Sequence, residues 1–280
     1  MTPGNILAEL AAAIKQTVST SPGNEMPGGG RYFDEPLIGV AAGNDPLFLQ
    51  YKEIVGPFHW LPNEVMAQAG FGTQVTPLSV ISWVLPINSA VRLSNRREKL
   101  FPSREWALTR HFGEIFNSQL RRQVVEWLTS RGIKAAAPLL VDGWNKANAS
   151  LGGLTSTWSE RHVAYAARLG TFSLNDGFIS ERGIAHRLGS VVAAIELPAS
   201  PGQLKGVYDN CLYHNVGRCG VCIPRCPVKA LSSKGHDKNL CREHVYITAQ
   251  QQVGPSYGVN QTGCGLCQTA VPCEGVNPCK

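Results

Sequence analysis

The chain has 280 residues, of which 43% are apolar and 16% charged, with a formal charge of +6. That length buries a substantial core in one or two domains, and the balance is that of a weakly charged globular protein, not a disordered or fibrous one. No apolar run reaches the roughly 18 residues of a membrane span, and the opening Met1-Thr2-Pro3-Gly4 lacks the basic start of an export signal, so a cytoplasmic location is expected.

Ile6, Leu7, Leu10, Ile14 and Val18 fall on one helical face and predict an amphipathic helix. Residues 19–31, rich in Ser, Pro and Gly, read as a flexible segment, so that 1–30 precede a body over 31–200. In the body, Leu37–Ala41 and Ser79–Leu85 are apolar runs of strand length. Ser103 is placed to cap a helix over 104–131 closed by Gly132, with Leu108, Phe112, Ile115, Phe116, Leu120, Val124, Trp127 and Leu128 as its core face. A strand is expected over Ala135–Val141 and a loop over 142–157. Trp158–Leu169 reads as a helix ended by Gly170, Asn175-Asp176-Gly177 as a turn, Gly189–Leu197 as a buried strand and 198–202 as a linker. The basic positions Arg96-Arg97, Arg121-Arg122 and Arg225 to Lys229 read as solvated charge, the alternative being an acidic partner or an anionic small molecule.

Residues 201–280 hold all nine cysteines, and their core pattern is Cys219-x2-Cys222-x3-Cys226-Pro227 followed by Cys264-x2-Cys267. Two intervening residues let one tight turn aim two thiolates at one iron–sulfur cube, and the cysteine before the proline serves a second cube. Gly220 and Gly265 supply turn conformations that a side chain would hinder. Pro227 ends the turn before Val228–Leu231, expected as a short helix. Two [4Fe–4S] clusters are therefore expected, one on Cys211, Cys219, Cys222 and Cys273, the other on Cys226, Cys241, Cys264 and Cys267, with Cys279 the alternative to Cys273. Structural zinc and disulfides are the competing readings; the Cys-Pro element and the count favour iron. Cysteines kept reduced for metal agree with a cytoplasmic setting. His214, His236 and His244 lie among them as surface groups or donors to sulfur.

The segments Trp158-Ser159-Glu160-Arg161-His162, Ala166-Ala167-Arg168-Leu169-Gly170 and Arg187-Leu188-Gly189-Ser190, with Asp237-Lys238-Asn239-Leu240-Cys241 and Cys264-Gly265-Leu266-Cys267-Gln268, resemble the epoxyqueuosine reductases, a plan shared by reductive dehalogenases. The resemblance covers about residues 150–275. It implies an α+β chain: a flavin-reductase-like, cobalamin-domain-like α/β body followed by a bacterial two-[4Fe–4S] ferredoxin-like module. It also implies cobalamin on the body, with Gly170, Arg187 and Gly189 lining it. Three departures stand out. The family's glycine-rich stretch reads Arg168-Leu169-Gly170-Thr171 here, its proton-donating aspartate falls at Leu154, and its helical-repeat tail is missing beyond Lys280, so a tRNA substrate is not expected.

The expected function is an oxidoreductase that carries electrons through two clusters to a cofactor or a small-molecule substrate on the body. The alternative is an electron-transfer or activating protein that reduces a separate corrinoid protein. A ferredoxin or flavodoxin is the expected electron donor. Glu160, Tyr165 and Asp176, with His162 and His186, are the candidate proton donors. Each has a plainer reading: an ion pair with Arg161 for Glu160, core packing for Tyr165, a turn for Asp176 and hydrogen bonding for the histidines.

Overall fold

The computed structural model describes residues 2–148, 154–203 and 205–280. Met1 of the opening tetrapeptide and residues 149–153 of the expected loop lie outside them. Among the described residues no helix is long and apolar enough to cross a membrane.

The body is built on a four-stranded antiparallel sheet. In chain order the strands are β1 (Leu37–Ala42), β2 (Ser79–Pro86), β3 (Ala135–Ala136) and, after two hairpins described below, β8 (His186–Ala193). Their spatial order is β1-β2-β8-β3, with Leu37 opposite Val84, Pro86 opposite His186 and Ala135 opposite Ala193. Every residue of β2 is buried, as a continuous apolar run requires when both faces of a sheet are covered. Alternation divides its side chains. Ile81, Trp83 and Leu85 enter a core with α1 (Pro3–Thr20) and α5 (Arg104–Thr129). Val80 and Val84 enter the other, with α2 (Pro46–Ile54), α3 (Pro62–Gln68) and α6 (Glu160–Ala166). Each fully buried Leu, Ile, Val or Phe contributes about 1.5–3 kcal/mol.

The expected N-terminal helix forms and buries Ile6, Leu10, Ile14 and Val18 against the first core. The segment read as flexible is anchored at Asn24, fully buried, whose amide donates to Val18 O at 2.8 Å and Phe33 O at 3.0 Å. α5 begins at its expected cap, with the Trp106 N–H donating to Ser103 Oγ at 3.2 Å. Ile115, read as core, is 47% exposed. The strand expected over Ala135–Val141 stops at Ala136, because Pro138 opens a 3₁₀ turn. The region expected as a loop carries a hairpin, β4 (Lys146–Asn148) against β5 (Leu154–Ser156). α6 ends earlier than expected because Arg168, not Gly170, takes the left-handed conformation (φ +63°). Gly170 opens β6 (Gly170–Phe172), which pairs with β7 (Phe178–Ser180) across the Asn175-Asp176-Gly177 turn.

Residues 201–280 form a lobe of short elements: α7 (Leu212–Val216), the hairpin of β9 (Leu231–Ser232) with β10 (Gly235–His236), α8 (Lys238–Glu243), a π-helix (His244–Thr248) and α9 (Ala249–Tyr257). The helix expected at Val228–Leu231 is a turn: Lys229 is left-handed (φ +55°), and the Ala230 N–H points at Cys226 Sγ, 3.1 Å away. Another helix of the body, α4 (Ser89–Arg96), carries the lobe's dock. Arg225 donates to Asn95 O and Glu98 O at the end of α4, and to Leu266 O and Thr269 O. Glu274, 3% exposed, accepts from Arg96 at 2.7 Å and from the Ala270 N–H at 2.7 Å, and faces Arg92 at 3.7 Å. The Ile184 N–H donates to Cys273 O at 2.8 Å, and Gly183 (φ +80°) is glycine because a Cβ there would stand 2.4 Å from Glu274 O.

Candidate functional site

α5 presents two different stripes. One is apolar and enters the core. The other, Trp106, Arg110, Glu114, Asn117 and Arg121, recurs at three- and four-residue steps and turns toward the start of β8. Asn117 accepts from Trp83 Nε1 at 2.9 Å and donates to Leu188 O at 2.9 Å. Arg121, read as solvated charge, is 1% exposed; it donates to Leu188 O at 3.0 Å, Glu114 at 3.0 Å and Glu160 at 3.3 Å. Arg187, the second residue of β8, grips the other oxygen of Glu114 through Nε at 2.9 Å and through Nη2.

Trp106, Arg110, Glu114 and Arg121 of this stripe wall one side of a cavity of about 480 Å³. Glu160 and Arg161 at the start of α6, Asp176 in its turn and His186 add to the body side. The lobe closes the cavity with Cys226, Cys241, Cys264 and Cys267, together with His236, Lys238, Arg242 and Tyr246. Six Arg and Lys side chains line it against the three carboxylates Glu114, Glu160 and Asp176. A surrounding of that sign attracts anions and raises the free-energy cost of further positive charge.

The carboxylates differ in state. Burial works against ionising Glu114, but Arg187 and Arg121 overcome it and hold its carboxyl at about 2. For Glu160 burial prevails over Arg121 and the hydroxyl of Ser190, and the pKa rises. Asp176 is lowered: burial opposes ionisation, but the bond from His236 (3.2 Å) and the charge of Lys238 (3.5 Å) outweigh it. Two carboxyl groups in one cavity are thus pushed in opposite directions, Glu114 down and Glu160 up.

The remaining sequence candidates are placed as follows. His186 lines the cavity with Nε2 2.6 Å from Phe178 O, and burial lowers it to about 4. His162 does not line it; its ring is bonded to Ser159 Oγ at 2.8 Å beside Tyr51 and Phe172, and burial lowers it to about 3. Tyr165 also faces elsewhere, donating to Lys205 O at 2.6 Å. Gly170 and Gly189 are off the cavity and answer to packing. A Cβ at Gly170 would lie 2.2 Å from Ile179 O, and one at Gly189 would lie 2.5 Å from the Trp83 ring. Of the three residues the resemblance assigns to cobalamin, only Arg187 reaches the cavity, and Glu114 holds it. The volume suits a small organic molecule, since drug-sized ligands fill about 300–1,000 Å³. The residues present do not fit a whole corrinoid with its nucleotide tail.

The cysteines fall into two sets. Cys211, Cys219, Cys222 and Cys273 line a small apolar-walled pocket with Leu174, Ile179, Ile184 and Val271; Cys279 is not among its walls. Cys226, Cys241, Cys264 and Cys267 line the larger cavity. Burial pushes Cys222 up to about 11 and Cys273 to about 12, and in each case the other thiols of the first set push further. Burial likewise raises Cys264 to about 12, Cys241 and Cys226 adding to it, and raises Cys267. Among the described residues no three His, Cys, Asp or Glu side chains close on a point that could hold a single metal ion. Each set instead rings a cavity, and four cysteines so gathered suit a cube that takes one thiolate at each corner and displaces the protons.

Against known structures the chain is similar to an epoxyqueuosine reductase bound to an epoxyqueuosine-modified tRNA-Tyr stem loop (TM-score 0.54, 18% identity, 96% of this chain and 65% of that one). It is similar as well to the epoxyqueuosine reductase of Bacillus subtilis (TM-score 0.52, 16% identity, 96% and 65%). A catabolic reductive dehalogenase aligns over 99% of this chain and 33% of its own, at 12% identity and a TM-score of 0.56. The chain shares their fold and spans about two thirds of the reductases and one third of the dehalogenase. No protein-family model and no curated protein matches it.

Proposed function

We propose that the chain is an iron–sulfur oxidoreductase that reduces a small molecule in the cavity between body and lobe. Cys211, Cys219, Cys222 and Cys273 would hold one [4Fe–4S] cluster of a ferredoxin-like module, and Cys226, Cys241, Cys264 and Cys267 the other. When bound, such clusters supply single electrons at potentials between about −700 and +450 mV, set by burial, charge and hydrogen bonds to sulfur. The observation that carries the reading is that the second set of cysteines walls the same cavity as Glu160, Glu114 and Arg187. Exposed Cys219 belongs to the first set, so an external donor such as a ferredoxin or flavodoxin would dock on that side.

Within the cavity Glu160 is the proton donor of this reading: burial raises its carboxyl above the usual range, which favours the protonated form, and general acids contribute about 10²–10⁴-fold. Arg121 orients Glu160 through the 3.3 Å contact. Glu114, shared between Arg121 and Arg187, fixes both guanidinium groups. No step of the reduction is routed through a corrinoid.

Anaerobic reconstitution with iron and sulfide analysis tests this directly. About eight irons per chain are expected, falling to about four in Cys222→Ser and in Cys264→Ser, with a separate EPR signal lost in each. Folded protein that takes up no iron would sink the proposal.

A further inference from the structure

The cations around the cavity divide by what they face. Where body and lobe meet, Arg161 feels the charges of Asp176 and Cys241, while Lys238 of the lobe stands 3.5 Å from Asp176. These cations have negative partners. On the body side, Arg187 and Arg121 share Glu114, and Arg121 also meets the Glu160 carboxyl. Arg110 is left over. Its stem packs on Gly263, its guanidinium is bonded to Tyr246, and among the described residues no carboxylate lies within ion-pair distance of it. Its dominant electrostatic neighbour is another cation, Arg187, whose repulsion, with burial, lowers the Arg110 pKa to about 10. Two guanidinium groups facing one cavity with a single ionised carboxylate between three arginines leave a positive surplus. A group that supplied negative charge there would relieve the repulsion and meet planar N–H forks suited to carboxylate or phosphate. Beyond the pair the wall is apolar, with Trp106, Leu139, Leu188 and Ile87.

From this juxtaposition we infer that Arg110 and Arg187 form the headgroup subsite for an organic oxyanion, a carboxylate or phosphate monoester, whose apolar part lies along Trp106 and Leu188. The inference rests on the cavity being the site of reduction and names the class of molecule reduced there. Glu160, in the same cavity, would then deliver its proton to the part of the molecule beyond the headgroup.

Calorimetric titration of the reconstituted protein with benzoate, phenyl phosphate and uncharged benzamide is the test. One of the two anions should bind about ten-fold or more tighter than benzamide, which lacks the charge but keeps the ring. Whether benzoate or phenyl phosphate is preferred assigns the headgroup. Arg110→Gln should lose that preference with its iron content unchanged, and Arg110→Lys should recover part of it, since the charge returns without the fork. Raising ionic strength should weaken the wild-type anion and leave benzamide unmoved, a measurement that needs no variant to fold. Equal binding of anion and benzamide, an unaltered anion affinity in Arg110→Gln, or no binding of either anion at about 10 mM, above ordinary weak affinities, overturns the subsite. Iron analysis of the same material keeps the two proposals apart. Iron-free protein that still prefers the anion defeats the redox reading alone, and fully loaded protein without the preference defeats the subsite alone.

Discussion

The body and the cysteine lobe are held by different physics. The body stacks helices on both faces of a sheet whose central strand is wholly buried, with one apolar core along α5 and a second on the opposite face of the sheet. The lobe has a small core in which Cys211 sits with Val271 against Leu174, Ile179 and Ile184 of the body. It also leaves Val216, Val221, Leu240, Ile247 and Val276 exposed. Val259 also enters the first core of the body, and the rest of the attachment is polar, through Arg225, Glu274 and backbone pairing at Ile184 and Ala185. A segment that buries so little apolar surface does not offset its own conformational entropy unaided. The cavity lies between a rigid wall and a conditional one.

Withdrawing iron should separate the two most sharply. Chelation under anaerobic conditions is expected to collapse amide-exchange protection across residues 211–280 while β2 and α5 keep theirs, because metal binding is folding free energy for the lobe alone. Unchanged exchange in the lobe would mean that its polar dock suffices. The converse perturbation is Leu120→Ala, at 1% exposure between α5 and the sheet. It should cost about 2–5 kcal/mol and lower the thermal midpoint of the body, with iron content per folded chain unchanged. Loss of iron in parallel with stability would show that the two regions melt as one.

The same division governs what could be read from the chain. β1, β2 and the Ser103 cap were legible because apolar runs and capping are local rules. The grouping expected of the cysteines rests on thiolate spacing, a local signal of a shared chemistry. The wall of the cavity was not. Trp106, Arg110, Glu114 and Arg121 repeat with the same helical period as the core stripe beside them, and Arg121-Arg122 looks like any solvated pair until β8 supplies Leu188 O. Ile115 shows the error in the other direction, an apolar residue at core spacing that faces out. Arg225 was hidden for the same reason: its partners, Asn95 and Glu98, lie about 130 residues earlier. Gly170 and Gly189 look like motif glycines, but their need for no side chain comes from Ile179 and Trp83. The period of a helix tells how many faces are occupied, not which neighbour each face meets.

The dock itself offers an intermediate effect. Glu274→Gln keeps the shape but removes the charge opposite Arg96 and Arg92, leaving Arg92 largely buried beside a neutral amide. Breaking such a pair from one side costs about 3 kcal/mol. The expected signature is faster exchange in the lobe and slower uptake of the second half of the iron, with the midpoint of the body unmoved. If the body melts earlier instead, Glu274 supports the core and not the joint.

Acid should strike the body and spare the joint, and His59 shows why. It is fully buried, stacked 5.8 Å from the ring of Trp158, and its Nε2 accepts the Ser159 N–H at 3.1 Å. An accepting nitrogen carries no proton. Burial, with Lys52 adding to it and Glu64 opposing, lowers its pKa to about 4. The unfolded chain, with an ordinary imidazole near 6.5, therefore binds more protons than the folded one between about pH 6.5 and pH 4. Stability contributed by the neutral ring is complete above that window and is lost as pH falls through it. Between pH 7 and pH 5 the loss from this one residue is about 2 kcal/mol. His162 and His186, lowered likewise by burial, add in the same direction. His59→Gln retains an acceptor for Ser159 and cannot ionise, so denaturant melts of the variant should show the pH 7 to 5 slope flattened by about that amount. A slope identical to wild type would place the acid sensitivity elsewhere, in the cysteine lobe, and would erase the distinction between a wall that acid loosens and one that only iron removal does.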